Sequence, residues 1–267
     1  EVDALGGAMA EITDQAQIQI RMLNTSKGPA VRALRAQIDK ALYQRLMSER
    51  LLAQPGLDIL EGEVAGLCRD EQGVTGCILT DGRQVACRQV VICAGTYLNG
   101  KVLIGEKEQV SGPVGHPASV AFARWMREQG WPMTRFKTGT PARVHRDHID
   151  FSRTQRQDGE AGLCFSFLTQ PGQYQRPSIP CWLSATTEET HRIIRENLHR
   201  APLYSGRIQG VGPRYCPSVE DKILRFPERS SHQLFLEPEG LETEEYYVQG
   251  MSTSLPEEVQ IAFLRTI

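Results

Sequence analysis

The sequence lacks most of the features that would place it quickly in a class. No stretch approaches the ~18 to 20 consecutive apolar residues of a membrane helix. No basic segment runs into a short apolar one in the manner of a signal peptide. Net charge is nearly absent as well, with 30 Lys and Arg against 32 Asp and Glu, or −2 at pH 7. Nothing global therefore marks a nucleic-acid binder, and a local basic patch would have to supply that attraction. Closely spaced cysteine pairs are also missing. Cys68, Cys77, Cys87, Cys93, Cys164, Cys181 and Cys216 are odd in number and form no Cys-x-x-Cys pair. That pattern suits reduced thiols in a cytoplasmic protein, and it argues against a disulfide framework, a zinc site or a disulfide reductase. The chain starts at Glu1 and stops at Ile267 inside a helix-like run, so it reads as an internal piece of a longer protein.

What is present is ordinary globular material: 267 residues, 40% hydrophobic and 23% charged, enough for one large domain or two smaller ones. Residues 28 to 53 read as a long amphipathic helix, with Val31, Leu34, Ile38, Leu42 and Leu46 at helical spacing and Gln54-Pro55-Gly56 as the stop. Strand-like pieces follow at Asp58–Ile59, Val64–Cys68, Val74–Leu79 and Gln84–Cys87, separated by Glu71-Gln72-Gly73 and Asp81-Gly82, which predicts a small β-meander. The run from Gln89 to Thr96 has the continuous apolar character of a buried parallel strand ending at Ala94-Gly95-Thr96. A small residue and then glycine at a strand end let a backbone come close to a cofactor, although any tight turn after an α/β strand has the same look. Helices are expected over 119–129, 186–197 and 256–264, and a shift in composition near residue 140 marks a domain boundary.

The segment richest in chemistry is Gly212-Pro213-Arg214-Tyr215-Cys216-Pro217-Ser218-Val219-Glu220-Asp221-Lys222. It sets a thiol between prolines, near two cations, with a helix start predicted at Ser218. Cations and a helix N-terminus both favour the thiolate, the nucleophilic form of cysteine. A buried structural thiol in a turn fits the same residues, and the segment alone leaves both readings open. Elsewhere the blander readings prevail. His145 and His148 lie in a polar, solvated stretch. Lys101 and Lys107 are offset by Glu106 and Glu108. Cys68, Cys77, Cys87 and Cys93 read as core residues, and Cys181 as a packed one.

The same segment resembles the GPRYCPSIEDK signature of the MnmG (GidA) family, departing only by Val219. Glu1–Gly7, Leu23–Arg32 (LNTSKGPAVR), Lys137–Pro141 (KTGTP), Phe235–Gly240 (FLEPEG) and Gly250–Pro256 (GMSTSLP) resemble further family segments in the family's order. The resemblance implies an α/β fold: part of a glutathione-reductase-like, Rossmann-type FAD-binding domain over 1–140, with its meander, and an inserted α+β NADH-associated domain over 141–267. It implies FAD contacts at positions matching Val64, Gly95, Thr96 and Ser119. NADH contacts are implied at Gly212, Pro213, Arg214, Tyr215, Pro217, Ser218, Glu220, Asp221 and Lys222. Cys216 matches one of two catalytic cysteines, the other expected upstream of Glu1 together with a Gly-rich fingerprint. The implied activity modifies C5 of the wobble uridine of tRNA, using methylenetetrahydrofolate, by a cytoplasmic homodimer working with the GTPase MnmE. The related folate- and FAD-dependent tRNA uridine methyltransferase, and a fragment that only binds or dimerises, are the alternatives.

Overall fold

The computed structural model describes residues 2–207 and 217–267. Helix α1 (Met9–Ala16) runs straight into β1 (Gln17–Leu23), which pairs antiparallel with β2 (Ala33–Ile38). Helix α2 (Lys40–Leu52) comes next. Strands β3 (Val64–Asp70), β4 (Gly73–Leu79) and β5 (Gln84–Ala86) then form an antiparallel meander. A separate hairpin of β6 (Lys101–Ile104) and β7 (Lys107–Val110) precedes α3 (Val120–Glu128). The rest is β8 (Arg143–His145), β9 (Gln155–Gln157), β10 (Cys181–Ala185), α4 (Glu188–Glu196), α5 (Val219–Arg225), β11 (Gln233–Pro238), β12 (Glu245–Gln249) and α6 (Glu257–Leu264). Helices and sheets thus mix along the chain, as an α/β reading requires.

The largest sheet has the order β8-β12-β11-β10-β9, with every neighbouring pair antiparallel. Alternation explains which face it buries. Leu234 and Leu236 of β11, with Tyr246 and Val248 of β12, point to one side. There they meet Ile194 of α4, Val219 and Ile223 of α5, and Val259 and Phe263 of α6 in one hydrophobic cluster. This cluster positions α5, because both of its buried apolar residues are fixed in the core. The β1–β2 hairpin is tied to the same half of the chain. Ile179 N–H donates to Ile18 C=O at 2.8 Å, Glu160 N–H to Ile20 C=O at 2.8 Å, and Arg35 pairs with the buried Glu237.

Several expectations need correcting. The long helix over 28–53 is really a 3-10 turn at Pro29–Val31, then β2, then α2. Leu34, Ala36 and Ile38 alternate as well as they repeat helically, and the ladder to β1 decides for the strand. Asp39 then starts the helix, its carboxylate accepting Leu42 N–H at 2.9 Å. The run Gln89–Ala94 forms no strand: among the described residues nothing pairs with it, and Val91 is 85% exposed. Asp58–Ile59 likewise joins no ladder among the described residues. Cys93 is exposed, not a core residue. The C-terminal helix begins at Glu257, one residue after the expected start, with Pro256 just before its first turn. The meander, α3, α4 and α6 otherwise lie where the turn and cap signals put them.

Candidate functional site

Helix α5 begins at a capping box. The Ser218 hydroxyl accepts Asp221 N–H at 3.3 Å, and the Asp221 carboxylate accepts Ser218 N–H at 3.2 Å. The helix is then stitched to the loop 250–254. Val219 N–H donates to Ser252 C=O at 2.8 Å. The Thr253 hydroxyl (2.7 Å) and Ser254 N–H (3.3 Å) both donate to Glu220 Oε1. The Lys222 ammonium donates to Gly250 C=O at 3.0 Å. Gly250 makes that loop possible: its φ is +103°, and a Cβ there would stand 2.9 Å from Leu234.

A third segment arrives from the other direction. Lys137 Nζ lies 3.9 Å from Asp221 Oδ2, both side chains largely buried, and Gly139 packs so closely on Ser252 that a Cβ would collide with the hydroxyl. Tyr204 completes the group, its phenol donating to Asp221 Oδ1 at 2.8 Å. Burial alone would raise the Asp221 carboxyl. The Tyr204 hydroxyl, Ser218 N–H and the Lys137 ammonium nevertheless hold it below the usual carboxylate range. Burial and the Asp221 hydrogen bond push the Tyr204 phenol up, and burial pushes the Lys222 ammonium down. Glu220 is 2% exposed, and among the described residues its Oε2 has no hydrogen-bond partner; the buried Ser252 Oγ has none among them either.

A second grouping lies around the start of α3. Gly95, at φ +51°, and Thr96 form the turn that leads to Leu98, and Leu98 bridges to Ser119. Ser119 N–H donates to Tyr97 C=O at 2.9 Å, and its side chain does not cap the helix. Val64 sits at the start of β3, the strand against which α3 packs through Trp125 over Gly66. The structure therefore draws Gly95, Thr96 and Ser119 together. Gly212, Pro213, Arg214, Tyr215 and Cys216 lie outside the described residues.

The whole of residues 1–267 matches the family described as "Glucose inhibited division protein A". The chain belongs to the GidA family. It is 52% identical over 268 residues to the tRNA uridine 5-carboxymethylaminomethyl modification enzyme MnmG of Geobacillus thermodenitrificans, and 49% identical to that of Bacillus subtilis. All of the chain is matched in each case, against 42% of the relative, so the chain spans less than half the length of these proteins. A crystal structure of GidA from Aquifex aeolicus superposes with a TM-score of 0.91 at 45% identity, covering 99% of this chain and 45% of that one.

Within this GidA-family chain, sequence reasoning named Glu220, Asp221, Lys222 and Lys137 but missed Tyr204 and Ser252. Tyr204 carries no local signal. Ser252 sits in GMSTSLP, a motif that marks the family without saying that it packs against α5.

Proposed function

We propose that the chain is part of a FAD- and NADH-dependent enzyme that adds an aminomethyl or carboxymethylaminomethyl group to C5 of the wobble uridine of tRNA. Methylenetetrahydrofolate supplies the one-carbon unit, glycine or ammonium supplies the amine, and the GTPase MnmE is the partner of a cytoplasmic homodimer. The names of the relatives support the tRNA uridine. The observation that carries the reading is the convergence of KTGTP, GMSTSLP and Tyr204 on α5, the helix that follows Cys216-Pro217 directly.

C5 of uracil is a weak nucleophile. A thiolate adding to C6 turns the ring into an enolate whose C5 attacks a one-carbon electrophile, and loss of the C5 proton then expels the thiol. Cys216 is the residue for that role. The Ser218 to Lys222 helix start, held by core and loop, gives the preceding residues a rigid anchor.

Residues 1–140 are read as part of the FAD-binding domain and 141–267 as the inserted NADH-associated one. The uncapped first turn of α3, beside the Gly95-Thr96 turn, fits close approach by an anionic cofactor, with Val64 on the neighbouring strand. Bound there, FAD supplies hydride transfer. The NADH contacts expected at Pro217, Ser218, Glu220, Asp221 and Lys222 take a specific form. Glu220 and Lys222 are also engaged with the 250–254 loop, so they hold the helix start as well as serving, with Gly212 to Tyr215, the proposed dinucleotide contacts.

The test is Cys216→Ser in the full-length protein, assayed for wobble-uridine modification with MnmE. Product should fall to background while flavin content and circular dichroism stay at wild-type values. Retained modification would remove Cys216 from the chemistry.

A further inference from the structure

The β6–β7 hairpin runs between the two groupings of residues, and its tip is fastened by charges that neither grouping uses. At its base, Ser111 N–H donates to Gly100 C=O at 3.2 Å, and Gly100 N–H donates to Tyr97 C=O at 3.0 Å. Ser119 N–H reaches that same Tyr97 carbonyl at 2.9 Å. At the tip the chain reverses through Gly105 and Glu106 alone. Gly105 has a φ of +54° and donates its N–H to Ser254 C=O at 2.6 Å. A Cβ there would stand 2.5 Å from the Pro256 ring, so only glycine lets the tip settle on this corner. The tip therefore rests on the end of the loop that stitches α5 in place.

Arg200 fastens it. Its guanidinium takes both carboxylate oxygens of Glu106, Nε to Oε1 at 2.8 Å and Nη2 to Oε2 at 3.3 Å. Arg200 Nη2 also donates at 2.6 Å to Oε1 of Glu258, in the first turn of α6. Arg207 Nη1 adds a bond to Glu106 C=O at 3.1 Å. The Arg200 hydrogen bond holds the Glu106 carboxyl below the usual carboxylate range, so the pair is charged at neutral pH. Single exposed ion pairs hold little, but a two-pronged guanidinium within a network of charges is the arrangement that does. The hairpin needs such a tie. Two strands of four residues are marginal by themselves, and Val102, Ile104 and Val110 are exposed, so packing gives it little support.

We propose that Glu106 and Arg200 are positioning residues for the α5 site, a latch between the hairpin tip and the two segments that flank that helix. The inference rests on the reading of α5 as part of an NADH site. One flanking segment is the 250–254 loop. Its Ser254 gives a carbonyl to Gly105 and an N–H to Glu220 at 3.3 Å, so one residue joins tip to helix. The other segment is 200–207. Arg200 and Arg207 both end on Glu106, and between them Tyr204 donates to Asp221 Oδ1 at 2.8 Å. Released from Glu106, both segments lose a tie at once, and Glu220 and Asp221 lose the groups that fix them. Glu106 and Arg200 thus act on α5 through Ser254 and Tyr204.

Stopped-flow reduction of the flavin by NADH, in full-length FAD-loaded protein, tests this with Glu106→Gln, Arg200→Gln and Arg200→Lys. In both Gln variants the NADH concentration giving half the limiting rate should rise about three- to tenfold, with the limiting rate within about twofold and flavin content unchanged. Arg200→Lys keeps the charge without the two-pronged geometry and should fall between. Arg192→Gln removes the comparable pairs to Glu189 and Glu196 on α4 and should change nothing. Amide exchange over 219–225 should quicken in the Gln variants before any NADH is added. Unchanged half-saturation in both Gln variants would overturn the proposal, as would a rise matched by Arg192→Gln. A rise with exchange over 219–225 unchanged would overturn it too, because the effect would not pass through α5. Wild-type flavin that NADH fails to reduce would instead remove the NADH reading, and the latch's role with it. No readout involves tRNA modification, so the outcome stands apart from that of Cys216→Ser.

Discussion

His191 of α4 and His232, the residue before β11, pack ring to ring with centroids 5.3 Å apart. His191 Nε2 is 2.7 Å from Thr186 Oγ1, and that hydroxyl oxygen also accepts His232 N–H at 2.8 Å, while His232 Nε2 has no partner among the described residues. Burial depresses both imidazoles below the ordinary 6.5. His232 and Arg195 reinforce this at His191 against Glu188, as Lys222 and Arg229 do at His232 against Glu228. Both rings are neutral when folded, and the unfolded chain binds protons first as pH falls. Their contribution to stability is therefore whole above 6.5 and is lost as pH drops from there through the folded-state values. The melting temperature should fall between about pH 7.5 and about pH 5.5. Calorimetry on a His191→Gln, His232→Gln double variant should show a shallower fall. Parallel curves would mean that other groups carry the acid sensitivity.

At the scale of elements, Asp39 joins two that sequence places far apart. One carboxylate oxygen caps α2 through Leu42 N–H at 2.9 Å, and the other accepts Leu241 N–H at 3.1 Å, in the loop after β11. Asp39→Ala removes a helix cap and strands a backbone donor, which should cost about 1–3 kcal/mol in urea unfolding. Asp39→Asn, able to accept at one of the two, should fall between. A loss confined to a few tenths would mean that water replaces both bonds. This residue also shows where sequence reading succeeds and stops. Caps and turns are local chemistry, so Ser218 and the Gly73 and Gly82 turns declared their elements correctly. Leu34 and Ile38 did not, because four-residue spacing belongs to helix and to alternating strand alike, and only β1 resolves it. The site divides the same way. KTGTP, PSVEDK and GMSTSLP were each recognisable, yet the Lys137–Asp221 approach and the Glu220–Thr253 bond span long separations that no local pattern encodes.

Taken as a whole molecule, the chain gathers its main hydrophobic cluster in its second half and leaves several apolar residues of its first half uncovered. Val91 is 85% exposed and Ile59 is 59% exposed, in segments that join no ladder among the described residues. An apolar extended segment with unpaired backbone groups is a template for pairing with another chain. The relatives are more than twice as long as this chain, so the same segments have far more polypeptide available to cover them there. Prepared alone, the 267 residues should self-associate with increasing concentration, whereas the full-length protein should not do so through these segments. Val91→Lys places a charge on the run at a position already in solvent, so it should leave the melting temperature within about a degree while reducing association. Sedimentation velocity on the two chains decides the matter. If Val91→Lys associates as strongly as the parent, the contact lies elsewhere. If it instead melts several degrees lower, Val91 is covered in solution by the chain's own residues, and the run is core after all.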